Sequence, residues 1–205
     1  MPDDWYSTAW NNGKRRILES NQMDPDDSRF GVRRPGNPIV VIDGKGIASV
    51  SGKSPRLQVK GKWRNTETSV YVNQTDIRSI TIHSRSFEVE GQESAYTSHF
   101  DEEGNVWIKK ESGNTYSPRV SHKTGFPVTK GKWIGLRQVV KDVPGGVLVE
   151  SHMDFGDGWK KVTEGIDNGS WGETGKPFKR SGSQCYVRTN DCRDTKYKDM
   201  SCREI

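Results

Sequence analysis

The 205-residue sequence has little continuous apolar sequence. No stretch approaches the ~18 consecutive apolar residues of a transmembrane helix, so we expect no membrane span. The Met-Pro-Asp-Asp start also lacks the basic and apolar regions of a signal peptide. If the protein is secreted, its signal sequence has therefore already been removed.

Cysteine is scarce. Cys185, Cys192 and Cys202 all lie near the C-terminus, and their spacing matches none of the paired Cys-x-x-Cys patterns of zinc sites. Two interpretations stay open. One is a single disulfide, between Cys185 and Cys192 or with Cys202 as a partner, as in extracellular proteins; the other is three independent buried thiols.

Several catalytic and binding patterns are missing. The sequence holds no Gly-x-Ser-x-Gly elbow, no His-Glu-x-x-His pair and no phosphate-binding glycine loop, so covalent and nucleotide-dependent chemistry is not indicated. Basic residues number 32 against 27 acidic ones, for a formal charge of +5, but they are interleaved along the chain. This charge attracts polyanions in general, while the lack of a basic run does not indicate nucleic-acid binding.

The composition that is present favours an all-β protein. Only 30% of residues are hydrophobic, whereas 22 glycines, 9 prolines and 7 tryptophans occur throughout the chain. That combination is typical of short strands joined by many turns. We expect one domain at 39–205, with an irregular segment at 1–38 that packs on the edge of a two-sheet sandwich.

Short β-prone runs separated by turn residues begin at Ile39. Alternation is strongest at 67–72 and 79–85, where His83 and Arg85 are predicted to share one face of a strand. The runs 133–140 and 147–154 flank Pro144-Gly145-Gly146 and predict a hairpin. About a dozen such strands suit two packed antiparallel sheets, an antiparallel β-sandwich of jelly-roll type.

The order of these segments resembles a known superfamily. SPRLQVKGKWRNTETSVYV, IHSRSF, YTSHFDEEGNVWIKKE, GKWIGLRQVV, VLVESHMDFGDGWKKVTEGIDNGSW, VRTND and SCREI follow one another as in concanavalin A-like jelly-roll proteins. The sequence looks most similar to uncharacterised, extracellular, polysaccharide-lyase-like domains of archaea and environmental microbes. The resemblance covers 39–205 and implies the fold.

The resemblance carries over no catalytic residue. The Arg-x-Glu-x-Arg, Gln-Ile/Val-His and Tyr-x-Lys-x-Gly-x-Tyr strands of alginate lyases in that superfamily are absent, as is the Glu-x-Asp-x-x-Glu of its glucanases. Any activity must therefore be argued from this chain's own residues.

Cleavage of a uronate polymer by β-elimination needs three kinds of group. A cation or hydrogen-bond donor neutralises the carboxylate, a base removes the neighbouring proton, and an acid protonates the leaving oxygen. We predict that Arg85 and His83 take the first two roles and that Tyr71 or Tyr96 is the acid. Lys110 or Lys109 is predicted to hold a second carboxylate. The alternative is that these residues form an ordinary solvated or packed strand face.

Other polar residues are predicted to contact the substrate or an ion. We assign substrate binding to Glu67, Arg137 and His152. Glu150, His152 and Asp154 share one strand face, which suits a metal site, an acid–base pair or a solvated outer strand. Structural calcium is possible at a group of oxygen ligands, although these are also ordinary turn residues: Asp154, Asp157, Asp167 and Asn168.

The sequence thus predicts an extracellular carbohydrate-active protein, with three functions left open. The first is a polysaccharide lyase acting on an acidic polysaccharide without a required cofactor. The second is a non-catalytic carbohydrate-binding module whose exposed aromatic rings stack on sugars. The third is a cell-surface scaffold. The sequence does not determine an oligomeric state.

Overall fold

A computed structural model describes residues 4–33, 37–52, 54–76, 79–113, 115–124, 129–172, 175–189 and 194–205. Within them the chain forms one short 3-10 helix, Ser7–Asn11, and seventeen strands. The strands are β1 Trp5–Tyr6, β2 Arg16–Leu18, β3 Met23–Asp24, β4 Asp27–Arg33, β5 Ile39–Ile42, β6 Ala48–Ser51, β7 Arg56–Trp63, β8 Thr66–Gln74, β9 Ile80–Val89, β10 Gln92–Phe100, β11 Asn105–Ser112, β12 Thr115–Lys123, β13 Ile134–Val143, β14 Gly146–Asp154, β15 Lys160–Asp167, β16 Gly182–Thr189 and β17 Thr195–Glu204.

The strands form two antiparallel sheets. Sheet A has the order β15-β14-β13-β8-β17-β6-β5-β2, with β1 paired to β17. Sheet B has the order β12-β11-β10-β9-β16-β7-β4-β3. The sheets pack as a sandwich, which confirms the predicted jelly-roll class, and the predicted hairpin is β13 paired with β14.

Polar–apolar alternation places the core between the sheets. Along β8, residues are alternately buried and half-buried, so Val70 and Val72 face inward while Glu67, Ser69 and Tyr71 face outward. The interior holds one large apolar cluster. A smaller cluster lies between β10 and β11 of sheet B and β13 and β14 of sheet A. Each sheet therefore has an outer face that is free to carry polar side chains.

The N-terminal segment is more regular than predicted. Residues 1–38 were expected to be irregular, but β1 and β2 join sheet A, and β3 and β4 join sheet B. The reason is its apolar content: Trp5, Trp10 and Phe30 pack together, at most 1% exposed, within the main core. These residues complete the sandwich from both sides.

The described part of the chain contains no helix that is long and apolar enough to cross a membrane.

Candidate functional site

The five predicted catalytic residues lie in three separate parts of the sandwich: the outer face of sheet A, the outer face of sheet B and the interior between the sheets. Tyr71 is on the outer face of sheet A, and His83 is on the outer face of sheet B. Arg85, Tyr96 and Lys110 point between the sheets, where each is at most 1% exposed. The structure therefore does not bring these five side chains together.

Arg85 and His83 are on opposite faces of sheet B because β9 carries a bulge, so the prediction of a shared face is wrong. His83 pairs with Tyr186 and Ser86 with Gln184, which leaves Ser84 and Arg85 opposite one residue of β16. Arg85 has a φ of 52°, in the left-handed region. Such a bulge interrupts the alternation of side chains along a strand.

Arg85 consequently reaches across the sandwich to sheet A. Its guanidinium donates to the Asp142 carboxylate at 2.7 Å and to the Phe178 carbonyl at 2.8 Å. A Cβ on Gly182 of β16 would lie 2.6 Å from Arg85 Cα, so the close approach of the two backbones requires glycine there. Arg85 is thus held by groups of the protein itself.

Tyr96 and Lys110 share one interior carboxylate. The Tyr96 hydroxyl donates to Asp167 at 2.7 Å, and Lys110 Nζ lies 2.9 Å from the same oxygen. The Phe178 amide donates to the Tyr96 oxygen at 2.9 Å. Burial, followed by the Asp167 hydrogen bond, raises the pKa of Tyr96. These contacts attach the segment around Phe178 to the interior, where a polysaccharide does not reach.

The predicted calcium ligands do not form a site. Asp154 and Asp167 lie at opposite ends of the β14–β15 hairpin, roughly 20 Å apart at the usual rise of a strand. Asp154 accepts hydrogen bonds from Tyr71 and two backbone amides, and Asp167 accepts from Tyr96 and Gly169. Among the described residues, no group of three or more His, Cys, Asp or Glu side chains is placed to hold a metal.

The predicted substrate-binding residues do lie together on the outer face of sheet A. Arg137 Nη2 is 3.1 Å from His152 Nδ1, and Arg137 Nη1 is 3.7 Å from a Glu67 oxygen. Glu150 is 3.6 Å from His152 Nε2, which confirms that they share a face. Burial and the positive charge of Arg137 lower the pKa of His152. This face is only half-buried.

The outer face of sheet B is centred on an aromatic pair. His83 of β9 stacks on Tyr186 of β16, with ring centroids 3.9 Å apart and planes at 21°. The Arg56 guanidinium of β7 lies 5.1 Å from the centre of the Tyr186 ring. Arg56 also donates to Glu93 of β10 at 3.1 Å. Four adjacent strands thus contribute to one cluster.

Positive charge surrounds this pair. Burial, followed by the charges of Arg56 and Arg188, lowers the pKa of His83 well below its usual value, so the imidazole is neutral at pH 7. His83 Nδ1 lies 3.4 Å from the Glu111 carboxylate. Arg188 is half-exposed, and its buried Nε has no hydrogen-bond partner in the described part of the chain. Among the described residues Arg188 forms no ion pair.

Outer-face side chains are more deeply buried in the middle of sheet B than on sheet A. Thr81, His83, Thr97 and Tyr186 are at most 7% exposed, although they point away from the core. Side chains of neighbouring strands cover one another here. Half-exposed side chains surround them: Arg56, His99, Trp107, Lys109 and Arg188. We call these five residues the sheet B rim.

Arg56, Tyr186 and Arg188 were not among the residues predicted from the sequence. Arg56 and Gln58 alternate with Leu57 and Val59 along β7, and the same alternation marks Gln184 to Arg188 in β16. The polar face of each strand was thus readable. What was missing was the position of β16 between β7 and β9, because its paired residues lie roughly 100 to 130 positions apart in the sequence.

Two of the three cysteines lie in the core. Cys185 of β16 and Cys202 of β17 are fully buried and carry free thiols. Cys192 falls outside the described residues. A disulfide that involves Cys192 therefore stays a prediction. Neither described thiol lies at the sheet B rim, so a disulfide here would affect the stability of the fold and not the surface at the rim.

Comparison with solved structures identifies the fold. The carbohydrate-binding module CBM66 from Bacillus subtilis matches with a TM-score of 0.63 at 13% identity, over 91% of this chain and 99% of the module. A Bacillus licheniformis β-glucanase matches with a TM-score of 0.58 at 9% identity, over 98% of each chain. Basic winged bean lectin, solved with Tn-antigen, matches with a TM-score of 0.51 at 9% identity, over 93% of this chain and 98% of the lectin.

These matches show a concanavalin A-like jelly roll, as the sequence resemblance predicted. At such low identity they show the fold alone. No family model and no curated protein sequence matches the chain.

Proposed function

We propose that this protein is an extracellular carbohydrate-binding protein that takes an acidic polysaccharide on the outer face of sheet B. The observation that carries the proposal is the half-exposed Arg188, which forms no ion pair among the described residues and lies with Arg56 and Lys109 around the buried His83–Tyr186 pair. The fold supports it, since proteins of the same architecture include a carbohydrate-binding module, a lectin and a glucanase.

The rim offers the two kinds of contact that an acidic sugar needs. Arg188 presents a planar guanidinium, which binds a carboxylate or sulfate through paired hydrogen bonds. Trp107 contributes a half-exposed ring 5.0 Å from His99, and an aromatic ring stacks on the apolar face of a sugar. The net charge of +5 increases the rate of encounter with a polyanion.

The test is binding of alginate, pectate, polyglucuronate and glycosaminoglycans, measured by calorimetry. Arg188→Gln should weaken binding of the preferred polymer at least about tenfold, the worth of one charged hydrogen-bonded contact. Arg15→Gln, at an exposed arginine outside sheet B, is the matched control. An equal loss in both variants would mean that only overall charge attracts the polymer, which contradicts a site on sheet B.

A second candidate function, β-elimination, is favoured by the neutral imidazole of His83 in contact with a phenol. In this hypothesis a guanidinium of the rim neutralises the substrate carboxylate, His83 removes the neighbouring proton, and Tyr186 protonates the leaving oxygen. His83 is 3% exposed, so Arg56 and its neighbours must move to admit the sugar. Arg85, Tyr96 and Lys110 have no place in this chemistry because they face the interior.

Absorbance of the unsaturated product decides between the two functions. A rise on any uronate polymer that His83→Ala abolishes, while binding persists, establishes the lyase. A flat trace on every polymer that the protein binds establishes a binding protein without turnover. Tyr186→Phe sharpens the result, since it removes only the proposed acid and keeps the ring beneath Arg56.

A further inference from the structure

The outer face of sheet A carries a continuous row of aromatic and cationic side chains that the proposed function does not use. The Arg137 guanidinium lies 4.7 Å from the Trp159 ring centre, and the Trp159 and Tyr71 ring centres are 5.6 Å apart. Lys198 Nζ then lies 5.6 Å from the Tyr71 ring and 4.7 Å from the Trp133 ring. We call Tyr71, Trp133 and Trp159 the sheet A aromatic row.

The row is held in place by the fold. Asp154 accepts the Tyr71 hydroxyl at 2.7 Å and the amides of Gly156 and Gly158 at 2.7 and 3.0 Å, which fixes the turn that leads to Trp159. These bonds lower the pKa of Asp154, and burial followed by the Asp154 bond raises the pKa of Tyr71 to about 12. Both groups therefore keep this hydrogen bond across the physiological pH range.

Gly135 lets the Trp159 ring lie against the sheet. It sits in β13 between Tyr71 and Asp154, and a Cβ at this position would be 2.8 Å from a ring carbon of Trp159. A ring in contact with the backbone loses little freedom when a ligand stacks on it, and such preorganisation favours binding.

Charges on this face are balanced by neighbours of opposite sign. Arg137 and Arg203 pair with Glu67, and Lys198 lies 4.0 Å from Asp199. Lys161 is 3.4 Å from Glu150. A polyanion would have to break these pairs, whereas hydroxyl groups can donate to the carboxylates and accept from the cations without separating them. The face therefore suits an uncharged, hydroxyl-rich ligand with an apolar side.

We propose that the sheet A aromatic row is a second carbohydrate-binding surface, one that takes a neutral polysaccharide by stacking pyranose rings on Trp159, Tyr71 and Trp133. A groove of about 660 Å³ continues the surface beyond Lys198. Tyr6, 47% exposed, and Asn11 line that groove and extend the contact for a chain longer than the row. This site does not depend on the outer face of sheet B.

The experiment measures binding of neutral β-glucan, mannan and xylan by calorimetry and by the fluorescence of the tryptophans. We expect at least one polymer to bind, and Trp133→Ala and Trp159→Ala each to weaken it at least tenfold. Ile166→Ala, a truncation of a 51% exposed residue elsewhere in sheet A, is the control and should leave affinity unchanged. Binding of no neutral polymer, or equal binding by all variants, overturns the proposal.

Further variants separate stacking from folding and from self-association. Tyr71→Phe keeps the ring but loses the hydrogen bond to Asp154, so it should weaken binding less than Tyr71→Ala does. Gly135→Ala should displace Trp159 and weaken binding without removing an aromatic residue.

Arg188→Gln should bind neutral polymers normally even if it no longer binds acidic ones. A failure of the sheet B proposal can thus be told apart from a failure of the sheet A proposal. A concentration-dependent sedimentation coefficient that Trp159→Ala abolishes would identify a second copy of this chain as the partner and overturn the proposal.

Discussion

The interior of the sandwich and the outer face of sheet B contain the same kinds of polar residue in two different states. Between the sheets, Arg85 is bound by Asp142, and Tyr96 and Lys110 are bound by Asp167. On the outer face of sheet B, Arg188 makes no such pair among the described residues, and the His83–Tyr186 stack lies beside it. Residue type alone therefore does not distinguish a structural cluster from a binding surface.

The difference lies in what each group would lose by binding a ligand. An interior cation that left its carboxylate would strand a buried charge, which is costly in a medium of low polarity. A half-exposed guanidinium without an ion pair loses only water. The interior cluster should thus govern stability and the sheet B rim should govern binding, and substitutions can test that division.

The largest effect is expected at Asp167. Asp167→Ala removes the acceptor of Tyr96 and Lys110 and leaves the Lys110 ammonium, 1% exposed, without its carboxylate. We expect the free energy of unfolding in urea to fall by about 3–5 kcal/mol. Asp157→Ala, at a largely exposed carboxylate, is the matched control and should change it by less than about 0.5 kcal/mol. Similar losses of unfolding free energy in the two variants would contradict the view that the interior cluster governs stability more than exposed carboxylates do.

A smaller effect concerns pH. Burial, followed by the charge of Lys109, lowers the pKa of His99 on the outer face of sheet B to about 4. The unfolded imidazole titrates near pH ~6.5, so between these values the unfolded chain binds a proton that the folded chain does not. The contribution of His99 to stability is therefore complete above about pH 6.5 and falls as the pH drops toward 4, by on the order of 1–3 kcal/mol. His83 and His152, whose pKa values are also lowered, add to the loss of stability at acidic pH.

The interior responds at lower pH. Burial alone would raise the pKa of Asp142, but hydrogen bonds from Arg85 and Arg64 lower it below its usual value. The pair with Arg85 is thus kept throughout the range in which His99 titrates. In urea titrations from pH 7 to 4, His99→Gln should make the loss of stability smaller than in the parent, while His122→Gln, at an exposed histidine, should not. Parallel curves for both variants would contradict this assignment.

Much of the fold was predictable from the sequence. The alternation in 67–72 and the turn at Pro144-Gly145-Gly146 identify strands and one hairpin, because both signals are local. The N-terminal strands were missed for two reasons. β1, β2 and β3 have only two or three residues, too few to show a period, and seven-residue β4 has three consecutive buried residues where a half-buried strand would alternate. The strand conformation of β2 and β3 comes from pairing with β5 and β4, which local sequence does not reveal.

The candidate site was only partly predictable. Glu67, Tyr71, Arg137 and His152 do share one face, because β8, β13 and β14 are adjacent and regular where these residues lie. The predicted direction of the Arg85 side chain was wrong because of a single bulge in β9. A bulge reverses which face a side chain points to, and the alternation of residue types along the strand does not reveal it. The sheet B rim needed the order β7-β16-β9, a long-range fact that no one strand contains.

The smallest effect on stability is expected at Arg188, and it is the sharpest test because Arg85 offers the same substitution. Arg188→Gln breaks no ion pair among the described residues, so the free energy of unfolding should change by less than about 0.5 kcal/mol. Arg85→Gln removes a fully buried guanidinium from Asp142 and should cost about 3 kcal/mol in the same urea assay. Acidic-polymer binding should show the reverse order, with Arg188→Gln impaired and any folded Arg85→Gln protein normal. If both variants lost stability alike, Arg188 would be a structural residue. Its guanidinium would then not be available to bind an acidic polymer, which contradicts the proposed site on sheet B.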